Sequence, residues 1–364
     1  MRRILIVALL GVLACSRSKE PVYIGIAGPW KEAFGRMNKQ GIELALSEIN
    51  ERGGVRGRPL KIVERDDEGV GAKAAAIAGE FVMNKNVVAV VGHVNSGAMM
   101  AAAPVYKQGM LTAIATTASS PDLSGISQWA FRVITSDSAN GIDMARFAMA
   151  RGFKKAAILY ENNSYGRGLA DSFKRAYNGQ VVAIDPIPSD GRANLEPYVS
   201  YLRVRSPDLV FVAGTDGSGR AFLQEARRQS LNAAFMGGDG WTPLALDTAL
   251  AEGIYVGAPF SAEDPRNDAQ RFVSAYRDRF HEDPDGNAAL AYDATMVLAS
   301  AIEAVGPSRA AIREWLANLA FAEPHAGVTG TIAFRPNGDV IGRGIVITRI
   351  RNGALSVERA GAGS

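Results

Sequence analysis

From Val22 onward, short apolar runs alternate with longer amphipathic runs, and this alternation constrains the fold more than any other feature. VYIGIAG and VVAVVG have the length and apolar content of buried strands. MNKQGIELALSEINERGG carries apolar residues at helical spacing and closes on two glycines, which are typical of a helix end. Strands that alternate with helices build βαβ units and a mainly parallel sheet. The chain is therefore predicted to be an α/β protein.

The alternation occurs in two successive series, and a mainly helical tail follows. The first series ends at FRVIT, and the tail begins at Asp264. Two series in a chain of 364 residues predict two doubly wound, Rossmann-like lobes, each with its own core, and the tail indicates that the chain crosses back between them. GTIAFRPNGDV and GIVITRIRNGALSVER are expected to pair as strands around a turn at Asn337-Gly338.

The amino end, MRRILIVALLGVLACSRSKE, has the pattern of a secretory signal: a basic start, an apolar stretch from Ile4 to Leu13, and a polar run. That stretch is about half of the ~20 residues that span a bilayer, so it does not predict a lasting transmembrane helix. Ala14-Cys15 resembles the bacterial lipobox, which implies cleavage before Cys15 and a diacylglycerol on its sulfur. Cys15 is the sole cysteine, so the exported part has no disulfide. An ordinary signal peptide with an incidental cysteine is the alternative.

The charge balance and the motifs exclude several classes of function. The chain has 40 Lys and Arg residues and 37 Asp and Glu residues. Two of the arginines lie in the leader, so the mature chain has 38 basic and 37 acidic residues. Such a nearly neutral chain argues against nucleic acid as the main partner. The histidines are isolated, and no Walker loop or nucleophile-elbow spacing is present, so neither a metal nor a cofactor is predicted. A Ser-His-Asp triad stays open because its members can lie far apart, but nothing local supports one.

Polar and aromatic side chains follow several predicted strands, at the strand ends where parallel α/β sheets bind ligands. They are Asn95-Ser96, Thr116 to Ser120, Asn162 to Tyr165, Thr215-Asp216, and Asp239 with Trp241. Hydroxyls and helix amides can receive a carboxylate, and an acid can receive an ammonium. The set therefore predicts a site for a small zwitterion.

Ser96 lies where the helix that contains GAMMAAAP should begin. The free N–H groups and partial positive charge of a helix N-terminus favour a carboxylate, and a serine hydroxyl can add a charge-assisted hydrogen bond. Serine is also a favoured N-cap residue. From the spacing alone, anion binding and plain N-capping are equally open.

Five stretches, in order, resemble type I periplasmic binding proteins, specifically the leucine/isoleucine/valine-binding branch of ABC-transporter receptors. They are IGIAGPWKEAFGRMNKQGIELALSEINERGGVRGRPLKIVERDD, VVGHVNSG, IATTASSPDL, AAILYENNSYGRGLADSFKRA and AAFMGGDGW. The resemblance extends from Val22 to about Ile350. It implies a two-lobed clamshell with three hinge crossings, near Ser136, Pro259 and Val340, and a ligand in the cleft between the lobes.

The resemblance also implies how the chain is divided. The implied parts are a signal peptide (1–14), lipidated Cys15 with a tether (15–21), a first lobe (22–137 plus 262–339) and a second lobe (138–261 plus 340–358). Such a protein is exported and membrane-anchored, and it faces the periplasm or the cell exterior.

Residue by residue, the resemblance implies contacts for both charged groups of the ligand. Ser96 matches a carboxylate-binding serine, and Thr117 and Ser119 match the carboxylate contacts of the next loop. Tyr165 matches an aromatic residue that closes over the ligand. Asp239 falls where the family keeps an acid for the α-ammonium.

Further positions fall around the implied side-chain pocket. Phe34, with Trp30 nearby, stands where an aromatic residue lines that pocket, and Trp241 is expected to narrow it. Thr215 or Asp216 occupies another contact position.

Three positions depart from the branched-chain receptors. Asp239 is one methylene shorter than their glutamate, and Asn95 and Gly69 stand where some relatives carry bridged cysteines. The specificity of those relatives is therefore not transferred to this chain.

The leading interpretation is a solute-binding lipoprotein without enzymatic activity. It would capture an amino acid or a related small carboxylate and deliver it to the permease of an ABC importer. A regulatory or sensor lipoprotein of the same fold that binds a protein partner is the alternative. An enzyme that uses Ser96 as nucleophile would need a nearby base, and the sequence reveals none.

Overall fold

The computed structural model describes residues 20–189, 194–342 and 344–358, which form two α/β lobes. The leader and Cys15 lie outside the described residues. The elements of the first series are, in chain order, Val22–Gly28 (β1), Ala33–Glu51 (α1), Leu60–Asp66 (β2), Gly71–Met83 (α2), Val87–Gly92 (β3), Ser96–Gln108 (α3), Thr112–Ala115 (β4) and Ala130–Arg132 (β5). The five strands form a parallel sheet in the order β2-β1-β3-β4-β5. Every residue of β3 is buried, as expected for an apolar strand covered on both faces.

The second series forms the second lobe. Its elements are Asp137–Ala150 (α4), Lys155–Glu161 (β6), Ser164–Ala176 (α5), Gln180–Ile187 (β7), Glu196–Arg205 (α6), Leu209–Ala213 (β8), Asp216–Arg228 (α7), Ala234–Gly237 (β9), Thr248–Ala251 (α8) and Tyr255–Ala258 (β10). A 3₁₀ segment, Asp239–Leu246, follows β9 directly. The alternation of strands and helices predicted from the sequence is confirmed in both series.

The remaining elements complete both lobes. They are Asn267–Phe280 (α9), Gly286–Val305 (α10), Arg309–Asn318 (α11), His325–Gly327 (β11), Gly330–Ile332 (β12), Val346–Arg351 (β13) and Ala354–Val357 (β14). The helices α9, α10 and α11 pack on the first sheet, whereas β13 and β14 extend the second sheet to the order β14-β13-β10-β9-β8-β6-β7. The chain therefore passes between the lobes three times: between β5 and α4, between β10 and α9, and between β12 and β13.

The expected strand pair around Asn337-Gly338 is wrong. The strand β12 pairs with β11, and β13 pairs with β14 through a tight turn at Asn352-Gly353. Both turn residues have positive φ, 51° and 80°, which the favoured two-residue hairpin turn requires. The carboxyl-terminal part of the chain carries the Asn-Gly signal twice, at 337–338 and 352–353, and only the second copy joins two paired strands. Around the first copy there is a single bridge, between Phe334 and Val340.

Each sheet lies between two helical layers, so each lobe has a core on both faces. In the first lobe, α1 packs so closely on α10 that a Cβ at Gly41 would collide with the Ala288 carbonyl oxygen. By length and composition α10 could cross a membrane, but 72% of its most apolar window is buried against the rest of the lobe. Its apolar character therefore stabilises the lobe core.

Candidate ligand-binding cleft

Strand ends of the two sheets face each other across a cleft with about 600 Å³ of empty space, part of which is open to solvent. This is the edge of the sheets where ligands of parallel α/β folds bind. The first lobe contributes Phe34, Gly69, Val94, Asn95, Ser96, Gly97, Thr117 and Asn287, and the second lobe contributes Asn163, Tyr165, Thr215, Asp239 and Gly240. Five of the side chains predicted from the sequence, Phe34, Ser96, Thr117, Tyr165 and Asp239, thus line one cleft.

The two lobes also contact each other directly beside the cleft. The Thr242 hydroxyl of the second lobe donates to Asp285 Oδ2 of the first at 2.7 Å. The Asn287 amide donates to the same carboxylate at 2.7 Å and to the Thr242 hydroxyl at 3.1 Å. All three side chains are buried. This network joins the two lobes beside the cleft.

On the first-lobe wall, α3 presents its N-terminus to the cleft. Ser96 is the first helical residue, and the N-cap position falls to Asn95, whose side chain makes no capping bond. The Ser96 oxygen accepts from the Ser120 N–H at 3.1 Å, so its own proton is available to a ligand. Of the two roles that the sequence left open for Ser96, the N-cap position is therefore filled by Asn95 instead. An anion here would meet a hydroxyl and the free amides of a helix N-terminus.

Thr117 and Ser119, which follow β4, differ in their environments. Thr117 lines the cleft, and its hydroxyl donates to the Val94 carbonyl at 3.2 Å, so its oxygen can only accept from a ligand. Ser119 is fully buried and is not among the lining residues. Its hydroxyl donates to Asp137 Oδ2 at 2.9 Å. Ser119 therefore stabilises a buried acid.

On the second-lobe wall, Tyr165 and Asp239 form a hydrogen-bonded pair. The Tyr165 hydroxyl donates to Asp239 Oδ1 at 2.9 Å and accepts from the Gly240 N–H at 3.2 Å. Burial raises the pKa of Asp239 to about 6, although the bond from Tyr165 lowers it. Burial and the charge of Asp239 together raise the pKa of Asp137 well above its usual range. No Lys, Arg or His lines the described cleft, so a bound cation would relieve the electrostatic cost at Asp239.

The three aromatic residues predicted around the pocket occupy different environments. Phe34 lines the cleft and is 9% exposed. Trp30 is half-buried and packs against the first-lobe core. Trp241 is fully buried in the second-lobe core, where its ring lies against Gly219 and Gly237. Trp241 therefore supports the cleft wall from behind instead of narrowing the pocket.

The structure adds two residues that the sequence analysis did not select. Asp137 begins α4 and lies beside Ser119, and applying the strand-end rule to FRVIT would have found it. Asn287 lies in the first turn of α10, and no strand precedes that helix directly. Only the return of the chain to the first lobe brings it to the cleft, so no local pattern indicates it. Of the two residues left open at the further contact position, Thr215 lines the cleft and Asp216 does not.

A fully buried polar network lies under the loop that leads into α3. Asp67 Oδ2 lies 2.6 Å from His93 Nδ1, and His93 Nε2 lies 2.9 Å from the Tyr106 hydroxyl. The other Asp67 oxygen accepts from the Gly69 N–H at 2.8 Å. Because Gly69 lines the cleft and His93 is three residues before Ser96, this network positions one wall of the site.

Comparisons with known proteins agree with this geometry. The family model described as periplasmic binding protein matches residues 21–354. The leucine-, isoleucine-, valine-, threonine-, and alanine-binding protein of Pseudomonas aeruginosa is 29% identical over 347 residues, 92% of this chain and 91% of that protein.

Solved structures give the same result. The ABC transporter substrate-binding protein of Desulfitobacterium hafniense in complex with Leu is 31% identical, with a TM-score of 0.81 over 93% of this chain and 100% of that one. The branched-chain amino acid transporter substrate binding protein of Streptococcus pneumoniae in complex with isoleucine is 25% identical, with a TM-score of 0.86 over 93% and 99%. This chain therefore belongs to the periplasmic binding protein family, within its leucine/isoleucine/valine-binding branch, and is an extracytoplasmic solute-binding protein and not an enzyme.

Proposed function

We propose that the protein captures an amino acid in the interlobe cleft and delivers it to an ABC importer. The observation that carries this proposal is the pair of opposite electrostatic environments on the two walls. One wall offers the N-terminus of α3 with the Ser96 hydroxyl, which suit a carboxylate. The other offers Asp239 with Tyr165, which suit an ammonium. A zwitterion that spans the cleft would satisfy both.

Two comparisons support an amino acid as the ligand. The Pseudomonas relative is named for binding leucine, isoleucine, valine, threonine and alanine, and the Desulfitobacterium structure contains Leu. Delivery to a permease is proposed because the solved relatives are substrate-binding proteins of ABC transporters.

Ligand binding is proposed to favour the closed arrangement of the lobes. A ligand held by Ser96 and Asp239 contacts both lobes at once, and such contacts exist only when the cleft is closed. A ligand shifts a conformational equilibrium by its difference in affinity for the two states. The three connections between the lobes would serve as hinges near Ser136, Pro259 and Val340, with lobe boundaries at 22–137 plus 262–339 and 138–261 plus 340–358.

We also propose that Cys15 anchors the mature protein to the membrane through a lipid. The support is the lipobox-like Ala14-Cys15 after an apolar stretch, and it comes from the sequence alone. In cells, Cys15→Ala is expected to abolish incorporation of labelled palmitate and to move the protein out of the membrane fraction. Unchanged labelling of that variant would contradict the proposed lipid anchor at Cys15.

A regulatory lipoprotein that binds a protein partner is not favoured. A pocket filled by the protein's own side chains would support that alternative. Here the cleft leaves a water-accessible cavity of about 110 Å³ and is lined by polar groups from both lobes, so the protein's own side chains do not fill it. Solute capture therefore fits the site better.

A thermal-shift screen of the purified protein against the standard amino acids tests the function. A ligand at about a hundredfold over its dissociation constant should add ~2.7 kcal/mol to the free energy of unfolding. Ser96→Ala is expected to weaken binding of the same ligand by about 1.5–3 kcal/mol, because a hydrogen bond to a charged group is lost. The control is Ser274→Ala, at an exposed position on α9. No shift with any amino acid, from folded and ligand-free protein, would refute the proposal.

A further inference from the structure

In the part of the cleft that is not assigned to the zwitterion, polar side chains outnumber apolar ones. Among the thirteen lining residues, only Phe34 and Val94 carry wholly apolar side chains. Asparagines occupy three of the remaining positions, Asn95, Asn163 and Asn287. A branched aliphatic side chain placed here would contact amides, and it would gain little from burial while displacing their water.

In two of these asparagines the amide oxygen has no hydrogen-bond donor among the described residues. Asn95 Oδ1 is a buried oxygen, and no hydrogen-bond partner is found for it in the described chain. Asn287 donates through its amide nitrogen to Asp285 and Thr242, so its Oδ1 is the free end, and no donor reaches it among the described residues. Asn163 differs, since its oxygen accepts from the Gly166 N–H and its nitrogen donates to Glu161.

Asn95 Oδ1 and Asn287 Oδ1 are therefore unpaired acceptors on the first-lobe wall, and a ligand side chain that brings donors would satisfy them. A buried polar group left unpaired costs about 1–3 kcal/mol, so a ligand side chain without a donor would be penalised. An acidic side chain would find no Lys, Arg or His among the described lining residues. A hydroxyl or carboxamide carries donors without an added charge.

We propose that the cleft selects an amino acid with an uncharged, hydrogen-bond-donating side chain, a carboxamide or a hydroxyl, over an aliphatic side chain of the same shape. This inference rests on the proposed function and specifies its substrate class. The side chain of the ligand lies against Asn95 and Asn287, while its α-carboxylate and α-ammonium occupy the Ser96 and Asp239 ends. The Asn95 and Gly69 pair, which replaces bridged cysteines of some relatives, is then part of the specificity surface.

Calorimetric titrations with pairs of amino acids whose side chains have nearly the same shape test this selectivity separately from side-chain size. The probes are L-asparagine against L-leucine and L-threonine against L-valine, with L-lysine and L-aspartate as charged probes. The polar member of at least one pair is expected to bind about tenfold or more tightly than its aliphatic partner. Two results would overturn the inference and leave the proposed function standing. One is an aliphatic amino acid that binds as tightly as its polar partner, and the other is tighter binding of a charged probe. Failure of every amino acid to bind would refute the proposed function itself.

An isosteric variant tests the role of Asn95. Asn95→Leu is expected to lower the ratio of polar to aliphatic affinity by about tenfold, because the unpaired acceptor is removed. Asn86→Leu is the matched control, since Asn86 is exposed and lies outside the cleft. A purely structural role for Asn95 would weaken both ligands equally. An unchanged ratio would therefore contradict the assignment.

Discussion

Replacing Asp239 by alanine is expected to weaken amino-acid binding by about 2–5 kcal/mol, the largest effect expected from any cleft residue. Asp239 is half-buried, accepts from Tyr165 at 2.9 Å, and is the one acid among the described lining residues. In the closed cleft, its removal would leave the ligand ammonium desolvated and without a counter-charge. Calorimetric titration of wild type and variant measures the loss.

The pH dependence of affinity provides an independent readout for the same residue. Burial raises the pKa of Asp239 to about 6, and Tyr165, Asp285 and Asp137 are the groups that interact with it. An ammonium needs the ionised acid, so affinity should be full at pH 7.5 and should fall as the pH drops through 6. A single titration predicts about a tenfold loss by pH 5. Asp239→Asn should remove this dependence.

The control for Asp239 is another acid on the same lobe. Asp171 is exposed on α5, away from the cleft, and Asp171→Ala should leave both affinity and pH profile unchanged. A loss below about 1 kcal/mol in Asp239→Ala would contradict the assignment of Asp239 as the ammonium partner.

Asp67→Ala is expected to lower the free energy of unfolding by about 3–5 kcal/mol. The Asp67 and His93 side chains are both 0% exposed and lie 2.6 Å apart. Removal of the carboxylate leaves the fully buried imidazole without its partner and also removes the acceptor of the half-buried Gly69 N–H. Chemical denaturation of the ligand-free protein measures the change.

An exposed ion pair in the same lobe provides the comparison. Arg65 and Glu80 lie 2.7 Å apart, but their side chains are 44% and 50% exposed. Glu80→Ala should therefore cost at most about 1 kcal/mol, since solvent screens the pair. Equal losses in Asp67→Ala and Glu80→Ala would show that the buried network does not stabilise the first lobe.

The sequence predicted most of the architecture because the signals for it are local. A continuously apolar run such as β3 and the amphipathic pattern of α1 each follow from a few adjacent residues. The strand pair near the carboxyl end was predicted wrongly because its pairing is not determined by local sequence. Two Asn-Gly turns were available, and which one joins paired strands depends on β13 lying beside β10, a contact between residues far apart in the chain.

The site was predicted only in part, because the strand-end rule also uses local sequence. The strand-end rule places Ser96, Thr117, Tyr165 and Asp239 at the correct edge of each sheet, and all four line the cleft. The rule does not tell which side chains turn inward. Trp241 also follows a strand, but it is part of the second-lobe core.

The claim that one zwitterion spans both walls is tested most directly by titrating wild-type protein with three matched compounds. They are the amino acid that gives the largest thermal shift, the amine that lacks its carboxylate, and the acid that lacks its amino group. The proposed site predicts tight binding of the intact amino acid and a loss of about a hundredfold or more for each truncated compound. Equal affinity for the acid and the amino acid would contradict it, because Asp239 and Tyr165 would then have no ammonium to hold.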